Sequence, residues 1–336
     1  MLGIAFGTRP EWLKIKPVVA ELEKQGVPHK LIFTGQHNTL INELDINPAF
    51  ASCDGHKDGY RNRLDNIVYS ALDWTSDWLN DIDPLMVQGD TASAFACALA
   101  AFHRKIPVIH LEAGLRTQDL ENPFPEEGYR QMISCITELH LCPTHRARET
   151  LVAERKAFQS SVVVVGNTVL DNSRDVKTTL EKKVLVTMHR RENHERMGEW
   201  FININAFARE HPDYEFLLPI HPNPEILKHS YLLTHVKIVE PMAHDELVQY
   251  LASCEYVITD SGGIQEEACF LRKPTIVCRK ETERQEGLGN FSALCVGPEY
   301  LSYIHGQLHH LKCEGKCPYG DGYSAEKVVK AIHERL

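Results

Sequence analysis

The sequence has little of what marks a membrane or nucleic-acid protein. Its apolar runs are no longer than single strands, well short of the roughly 20 residues that span a bilayer. Its formal net charge is −10, so it lacks the positive field that holds nucleic acid or an anionic membrane. No signal-peptide pattern precedes Gly3. We therefore expect a soluble, uncleaved protein without nucleic-acid or membrane partners, in which local groups meet any anionic ligand.

The sequence also lacks the paired cysteine and histidine spacing of a zinc site. Its ten cysteines are scattered through apolar segments such as AFACALAAF, which is typical of free core thiols in a reducing compartment. The one close pair, Cys313 and Cys317, has no second Cys or His pair at zinc-finger spacing around it. We expect ordinary thiols, no metal and a cytoplasmic location.

Short apolar strands alternate with amphipathic helices along all 336 residues. Runs rich in Val, Ile and Leu without strict alternation are typical of parallel strands buried on both faces. Such a pattern predicts an α/β fold, doubly wound, in two copies. The predicted strands lie at 2–7, 30–35, 84–89, 107–114, 139–143 and 161–166, and then at 183–189, 214–221, 236–241, 256–261, 274–278 and 293–297.

A polar stretch separates the two strand sets after GNTVLD (166–171). We predict an N-terminal Rossmann-like domain over 1–170, a C-terminal one over 171–320, and a terminal helix over 321–336 that packs on the N-terminal domain. In open α/β sheets ligands bind beyond the carboxyl ends of the strands. With two such sheets, residues at strand ends could converge in a cleft between the domains.

The first strand ends in GTRPEWLK, where Gly7 allows close backbone approach and Arg9 stands at the positive end of a helix. An anion could there meet backbone N–H groups, Arg9 and Lys14. The alternative is an ordinary strand-to-helix turn with a surface arginine.

Three carboxylates follow at strand or loop ends of the same domain. Asp90 follows VQG, Glu112 lies in HLEAGLRT, and Glu126 with Glu127 opens a helix after NPFP. Helix capping is the alternative for Asp90, and favourable charge at a helix start is the alternative for the two glutamates. Together the three positions are a candidate proton-transfer set.

The second domain has basic and hydrogen-bonding groups at its strand ends. His189 follows a strand in TMHRRENH, and a histidine there could bind phosphate or transfer a proton. The turn Ser261, Gly262, Gly263 opens a helix whose N–H groups can hold a diphosphate.

Glu267 lies four residues after Gly263, on the same helix face one turn further on. A carboxylate there can accept from the hydroxyls of a ribose attached to the diphosphate. Helix electrostatics would explain Glu266 and Glu267 equally well.

The combined motifs resemble the non-hydrolysing UDP-N-acetylglucosamine 2-epimerase family. The similarity spans residues 7–287 and implies a glycosyltransferase-B-type fold, with two Rossmann-like domains facing a central cleft. It departs from the family where Gln285 follows Arg284, a position that is typically proline. The motifs that carry the resemblance are GTRPEWLK, TGQH, GDTAS, HLEAGLRT, FPEE, GNTVLD, HRREN, PIHPNP, DSGGIQEEA and TERQEG.

The resemblance also implies roles for individual residues, a homodimer and no cofactor. The catalytic residues it implies are Asp90, Glu112, Glu126 and His189. The residues it implies for binding the UDP-sugar are Arg9, Lys14, His189, Ser261, Gly262, Gly263, Glu267 and Arg284. Gln36, His37 and His221 are the residues that could form a second, allosteric site.

The activity implied is inversion at C2 of a UDP-N-acetylhexosamine, from UDP-N-acetylglucosamine to UDP-N-acetylmannosamine. The route is anti-elimination of UDP through 2-acetamidoglucal, followed by re-addition. Alternatives are a hydrolysing epimerase, an epimerase of a modified UDP-N-acetyl sugar, a glycosyltransferase on the same fold, and a catalytically silent nucleotide-sugar-binding protein.

Overall fold

The computed structural model describes residues 1–36, 49–50, 62–154 and 161–335. His37, a predicted second-site residue, lies outside these ranges. The chain divides into two compact units. Unit 1 comprises Met1–Asp171 together with Gly322–Leu336, and unit 2 comprises Asn172–Asp321.

Unit 1 is a parallel sheet with helices in the connections between its strands. Its described strands are β1 (Leu2–Phe6), β2 (His29–Phe33), β3 (Ala49–Phe50), β4 (Leu85–Gln88), β5 (Val108–Leu111), β6 (Leu139–Cys142) and β7 (Ser161–Val164). Its described α-helices are α1 (Arg9–Lys24), α2 (Arg63–Trp78), α3 (Ala92–His103), α4 (Glu126–Ile136), α5 (His145–Ala153) and, from the end of the chain, α11 (Ser324–Arg335).

The strand order of unit 1 is β3-β2-β1-β4-β5-β6-β7, with parallel pairing throughout. Every residue of β1 is buried, as expected for a central strand covered on both faces. The order reverses between β1 and β4, which makes the ends of these two strands the switch point where open sheets bind ligands.

Unit 2 repeats this architecture with six described strands. They are β8 (Lys183–Thr187), β9 (Glu215–Pro219), β10 (Lys237–Val239), β11 (Tyr256–Thr259), β12 (Thr275–Val277) and β13 (Ser292–Leu294). The described α-helices are α6 (Met197–Glu210), α7 (Pro224–Leu227), α8 (His244–Ser253), α9 (Gly262–Phe270) and α10 (Leu301–Gln307).

The strand order of unit 2 is β10-β9-β8-β11-β12-β13, again parallel, and it reverses between β8 and β11. Helix α6 covers one face through Trp200, Phe201 and Ile204, which follow helical spacing and are all buried. Each unit thus has its own hydrophobic core and its own switch point.

Helix α11 packs in unit 1 against α1. Val328 and Val329 are fully buried in the cluster that contains Ile15 and Leu22 of α1. The helix start is held by Asp171, whose carboxylate accepts from the N–H groups of Ser324 at 3.0 Å and Ala325 at 2.7 Å. The chain therefore returns to unit 1 next to the residue from which it left.

The observed elements confirm the predicted α/β class with two parallel, Rossmann-like sheets. All twelve predicted strands are present, while the two-residue β3 was not predicted. Among the helices that the structure describes, none has the length and apolar character to cross a membrane. The cysteines within the described ranges are free, Cys313 and Cys317 included, and no cluster of three or more potential metal ligands occurs among those residues.

Candidate active site

Glu11 closes the turn after β1. The hydroxyl of Thr8, the N-cap of α1, accepts from the Glu11 N–H, and Glu11 Oε2 accepts from the Thr8 N–H at 2.7 Å. The same oxygen accepts from the Gly7 N–H at 2.9 Å. A buried carboxylate of the protein therefore occupies the N–H groups of Gly7 and Thr8, while anion binding by Arg9 and Lys14 stays a prediction. Arg9 is exposed at the start of α1.

Lys14 and Glu112 join α1 to the end of β5. Lys14 Nζ lies 2.5 Å from Glu112 Oε2, and the side chains are 18% and 9% exposed. Gln88, at the end of β4, donates to the same oxygen. Glu112 has a φ of +67°, a conformation that is costly for a residue with a Cβ and that is often found at functional sites. The structure thus brings a predicted cation and a predicted carboxylate together.

Asp90, just beyond β4, forms an ion pair with Arg130 of α4. Its Oδ2 lies 2.7 Å from Arg130 Nε and 2.6 Å from Arg130 Nη2. Thr91 is the N-cap of α3, with its hydroxyl accepting from the Ala94 N–H at 3.0 Å. The alternative that Asp90 caps this helix is therefore wrong.

Glu126 and Glu127 both begin α4 but have different surroundings. Glu127 is fully buried and accepts from the Thr117 N–H at 3.1 Å and from Gln131 Nε2 at 2.9 Å. Glu126 Oε2 is buried without a hydrogen-bond partner in the part of the chain that the structure describes. Glu127 is therefore a structural acid, whereas Oε2 of Glu126 keeps its capacity to accept a hydrogen bond or a proton.

Gln36 belongs to a network at the helix starts of unit 1. Its side-chain carbonyl accepts from Ser93 Oγ at 2.9 Å, and Ser93 Oγ lies 3.2 Å from Thr91 Oγ1. Thr91 in turn donates to Glu11 at 2.7 Å. Gln36 thereby ties the loop after β2 to the starts of α1 and α3.

In unit 2, the turn Ser261, Gly262, Gly263 opens α9 as predicted. A methyl group on Gly262 would lie 2.9 Å from Cζ of Arg284, so this glycine is needed for packing. A methyl group on Gly263 would meet no described heavy atom within 4 Å. Open space beside the positive end of a helix suits a phosphate.

Asp260, directly before this turn, is absent from the sequence predictions. It is fully buried and accepts from the N–H groups of His189 at 3.0 Å and Arg190 at 2.9 Å, and from Asn193 Nδ2 at 3.0 Å. One carboxylate thus fixes the start of the loop after β8 next to the end of β11.

His189 lies on this loop with its ring partly exposed. Burial lowers the pKa of His189, against the opposing charge of Asp260, so the neutral imidazole is favoured. Its ring stacks on His221, with the centroids 5.8 Å apart. The structure therefore places His221, predicted as a second-site residue, beside a predicted substrate-binding residue of the same unit.

The adjacent carboxylates of α9 have different partners. Glu266 Oε1 accepts from Arg284 Nε at 2.8 Å, and Arg284 Nη1 also donates to Glu283. Glu267 Oε1 lies 2.6 Å from His244 Nε2, at the start of α8. Arg284 is thus held near the start of α9 by two acids, and Glu267 is held by a histidine.

Four residues that organise these sites are absent from the sequence predictions: Glu11, Arg130, His244 and Asp260. A signal existed for Glu11, because Thr8-x-x-Glu11 is a capping-box pattern before a helix. A signal also existed for Asp260, since it ends a strand directly before the SGG turn. Arg130 and His244 pair across elements distant in sequence, and their local sequence gives no sign of it.

Each unit therefore has its own chemistry. The strand ends of unit 1 combine carboxylates with a lysine and an arginine, a combination that can remove and return protons. The strand ends of unit 2 combine a helix N-terminus with histidine and arginine side chains, which can hold a phosphate.

Comparison with known proteins places this geometry in context. The family model described as UDP-N-acetylglucosamine 2-epimerase matches residues 20–333. A UDP-N-acetylglucosamine 2-epimerase from Salmonella borreze is 34% identical over 96% of both chains. The crystal structure of UDP-GlcNAc 2-epimerase from Neisseria meningitidis bound to UDP-GlcNAc has a TM-score of 0.88 at 30% identity and covers 99% of both chains. The enzyme from Methanocaldococcus jannaschii, in complex with UDP-GlcNAc and UDP, has a TM-score of 0.82 at 29% identity and covers 99% of both chains.

Two Rossmann-like units with these strand-end sites define a glycosyltransferase-B-type α/β protein. Within that class, the chain belongs to the UDP-N-acetylglucosamine 2-epimerase family.

Proposed function

We propose that the protein is a non-hydrolysing 2-epimerase that interconverts UDP-N-acetylglucosamine and UDP-N-acetylmannosamine. Unit 1 supplies the catalytic carboxylates Asp90, Glu112 and Glu126, and unit 2 binds UDP. Family membership supports the substrate class, as do the related structures described with UDP-GlcNAc and UDP.

The C2 hydrogen of this substrate is not next to a carbonyl, so its direct removal is prohibitive. Breaking the bond from C1 to the UDP oxygen makes C1 oxocarbenium-like and acidifies that hydrogen. A carboxylate takes the C2 proton, the C2–H electrons form the C1=C2 double bond, and UDP leaves with the C1–O electrons. The reverse addition delivers a proton to the opposite face of C2 and rejoins UDP at C1, so no net water or redox partner is consumed.

The observation that carries this proposal is the state of the three carboxylates in unit 1. Glu112 is paired with Lys14, Asp90 is paired with Arg130, and Glu126 Oε2 is unpartnered among the described residues. A carboxylate beside an ammonium group can exchange a proton with it, and an unpartnered buried oxygen is available as a base. Simple binding of a nucleotide sugar would not require three such acids.

UDP has to be stabilised as a leaving group and retained until it adds back. The positive end of α9, the open space at Gly263 and the neutral His189 suit the diphosphate. Arg9 adds positive charge for the UDP-sugar, Arg284 contributes guanidinium N–H donors while paired with Glu266 and Glu283, and Glu267 accepts from the ribose hydroxyls.

The test is to incubate the protein with UDP-N-acetylglucosamine in deuterated water and follow the sugar by proton and phosphorus NMR. We expect intact UDP-N-acetylmannosamine that carries deuterium at C2. Free N-acetylmannosamine with UDP would instead assign the hydrolysing reaction. Absence of both exchange and product formation with this substrate would contradict the proposal.

A further inference from the structure

His244 and Glu267 form a close pair whose purpose the reaction alone does not explain. His244 Nε2 lies 2.6 Å from Glu267 Oε1, and the side chains are only 11% and 4% exposed. The pair joins the first residue of α8 to the middle of α9, the helix proposed to hold the diphosphate. A contact this short and this buried fixes the orientation of the carboxylate.

The neighbouring acid of the same helix shows a different arrangement. Glu266 is held by Arg284, which also donates to Glu283, so Glu266 belongs to a network of ion pairs within the protein. Glu267 has one described partner, the imidazole on Oε1, and no described residue donates to its Oε2. One oxygen of Glu267 is therefore anchored to the protein, and the other remains an acceptor for a ligand.

The charges around His244 keep the imidazole in a donating state. Burial by itself lowers the pKa of His244, but the hydrogen bond and charge of Glu267, with a smaller effect of Asp245, raise it above the ordinary value. Asp245 Oδ1 lies 3.8 Å from the other ring nitrogen, Nδ1, and Glu246 caps the Ala243 N–H at 3.4 Å. Since a carboxylate can only accept, Nε2 carries a proton in this contact.

We propose that His244 is a positioning residue for ribose recognition: by donating to Oε1, it turns Oε2 of Glu267 toward a ribose hydroxyl. This inference rests on the proposed role of Glu267 in binding UDP. A carboxylate held in this way favours ribose over a sugar without hydroxyls, because the analogue leaves a buried acceptor unsatisfied. His244 thus contributes to nucleotide specificity through Glu267, without itself taking part in the proton chemistry.

The test compares the affinities for UDP and for 2′,3′-dideoxyuridine diphosphate, measured by isothermal titration calorimetry. We expect the parent protein to bind UDP about tenfold more tightly than the dideoxy analogue. His244→Ala should reduce this ratio to about twofold, and Glu267→Gln should reduce it similarly. His244→Gln retains an N–H donor and should keep the ratio near its parent value. His235→Ala, an exposed histidine elsewhere in unit 2, is the matched control and should change neither affinity.

The outcomes separate this inference from the proposed function. If His244→Ala keeps the affinity ratio of the parent protein while Glu267→Gln lowers it, the inference is overturned and the ribose role of Glu267 stands. If Glu267→Gln keeps the affinity ratio of the parent protein, Glu267 has no role in ribose recognition, and the inference about His244 fails with it. An equal decrease of the affinity ratio in His244→Ala and His244→Gln would also contradict the inference, because the N–H donor that glutamine retains would then have no effect. Failure of the parent to bind UDP would instead count against the proposed function.

Discussion

At the scale of single residues, Glu126 and Glu127 are adjacent in sequence but are expected to respond oppositely to substitution. Glu126→Gln removes a carboxylate whose Oε2 has no described partner, so the fold should retain its melting temperature. If Glu126 transfers the C2 proton, deuterium exchange at C2 should fall by about 100-fold or more, because general acid–base catalysis is lost. NMR of the exchange reaction and differential scanning calorimetry measure the two effects.

Glu127→Gln is the matched control for this experiment. Glu127 is buried and accepts from the Thr117 N–H and from Gln131, so its substitution should lower stability by about 1–3 kcal/mol. Wild-type exchange in Glu126→Gln would remove that residue from the proposed mechanism.

A second prediction concerns two fully buried histidines on neighbouring strands, His110 and His140. Burial lowers the pKa of His110 to about 4 and that of His140 to about 3, against about 6.5 in the unfolded chain. Between its folded-state pKa and about pH 6.5, each histidine binds a proton in the unfolded chain but not in the folded protein. Their contribution to the free energy of unfolding is therefore fully present above about pH 6.5, and it is lost as the pH falls toward 4 for His110 and toward 3 for His140.

The variant His140→Leu tests this effect. Leucine has a similar volume and removes one titrating group, and no described residue bonds either ring nitrogen of His140. We expect a shallower loss of the free energy of unfolding between about pH 6.5 and pH 4, measured by urea denaturation at several pH values. His103→Leu, at an exposed position, is the control. A slope in His140→Leu equal to that of the parent would show that His140 is not buried neutral.

At the scale of elements, helix α9 begins with two neighbouring glycines, of which Gly262 is needed for packing and Gly263 leaves space for a ligand. Gly263→Ala adds a methyl group where no described atom lies within 4 Å, so the free protein should fold with unchanged stability. If UDP occupies this space, its affinity should fall by about tenfold or more, because the methyl group takes the place of a phosphate oxygen. Calorimetric titration with UDP measures the change.

Gly262→Ala makes the contrasting variant. Its methyl group would lie 2.9 Å from Cζ of Arg284, which Glu266 and Glu283 hold in place, so it should cost about 1–3 kcal/mol of stability. Unchanged UDP affinity in a stable Gly263→Ala variant would contradict a diphosphate site at this turn.

The elements themselves were largely predictable from the sequence. The predicted strands are largely continuous apolar runs, a pattern that is readable without tertiary information. The central strands β1, β4 and β11 are buried along their whole length. Apolar residues recur at helical spacing over residues 62–79 of the sequence, and the structure has α2, Arg63–Trp78, at this place. The missed strand, Ala49–Phe50, has only two residues, and a pairing that short depends on the neighbouring strand β2 rather than on its own composition.

Side-chain partners were less predictable than elements. The acids and cations at the strand ends could be proposed from residue type, but the Lys14–Glu112 pair joins residues 98 positions apart, and the Asp90–Arg130 pair joins residues 40 positions apart. Such pairs depend on sheet order and helix packing. The Gly7 turn shows the same limit, since its sequence does not reveal that Glu11 of the protein accepts from the N–H groups of Gly7 and Thr8.

At the scale of the whole molecule, the chain leaves unit 1 at Asp171 and returns to it at Gly322. The departing and the returning segments are joined to each other, because the Asp171 carboxylate accepts from the N–H groups of Ser324 and Ala325 at the start of α11. This bond caps α11 with a side chain more than 150 positions away in sequence. We therefore expect the stability of unit 1 to depend on this contact between the two segments that flank all of unit 2.

Asp171→Ala tests this dependence. Loss of a helix-capping carboxylate should lower the free energy of unfolding by about 1 kcal/mol, and it should make α11 more susceptible to limited proteolysis. Asp171→Asn keeps an accepting oxygen and should retain most of the stability, while Asp175→Ala changes a side chain that is 90% exposed and should have no effect. Urea denaturation and mass spectrometry of the proteolytic fragments provide the measurements. If α11 in Asp171→Ala is as resistant as in the parent, the apolar packing of Val328 and Val329 on α1 is sufficient by itself to hold the returning chain in unit 1.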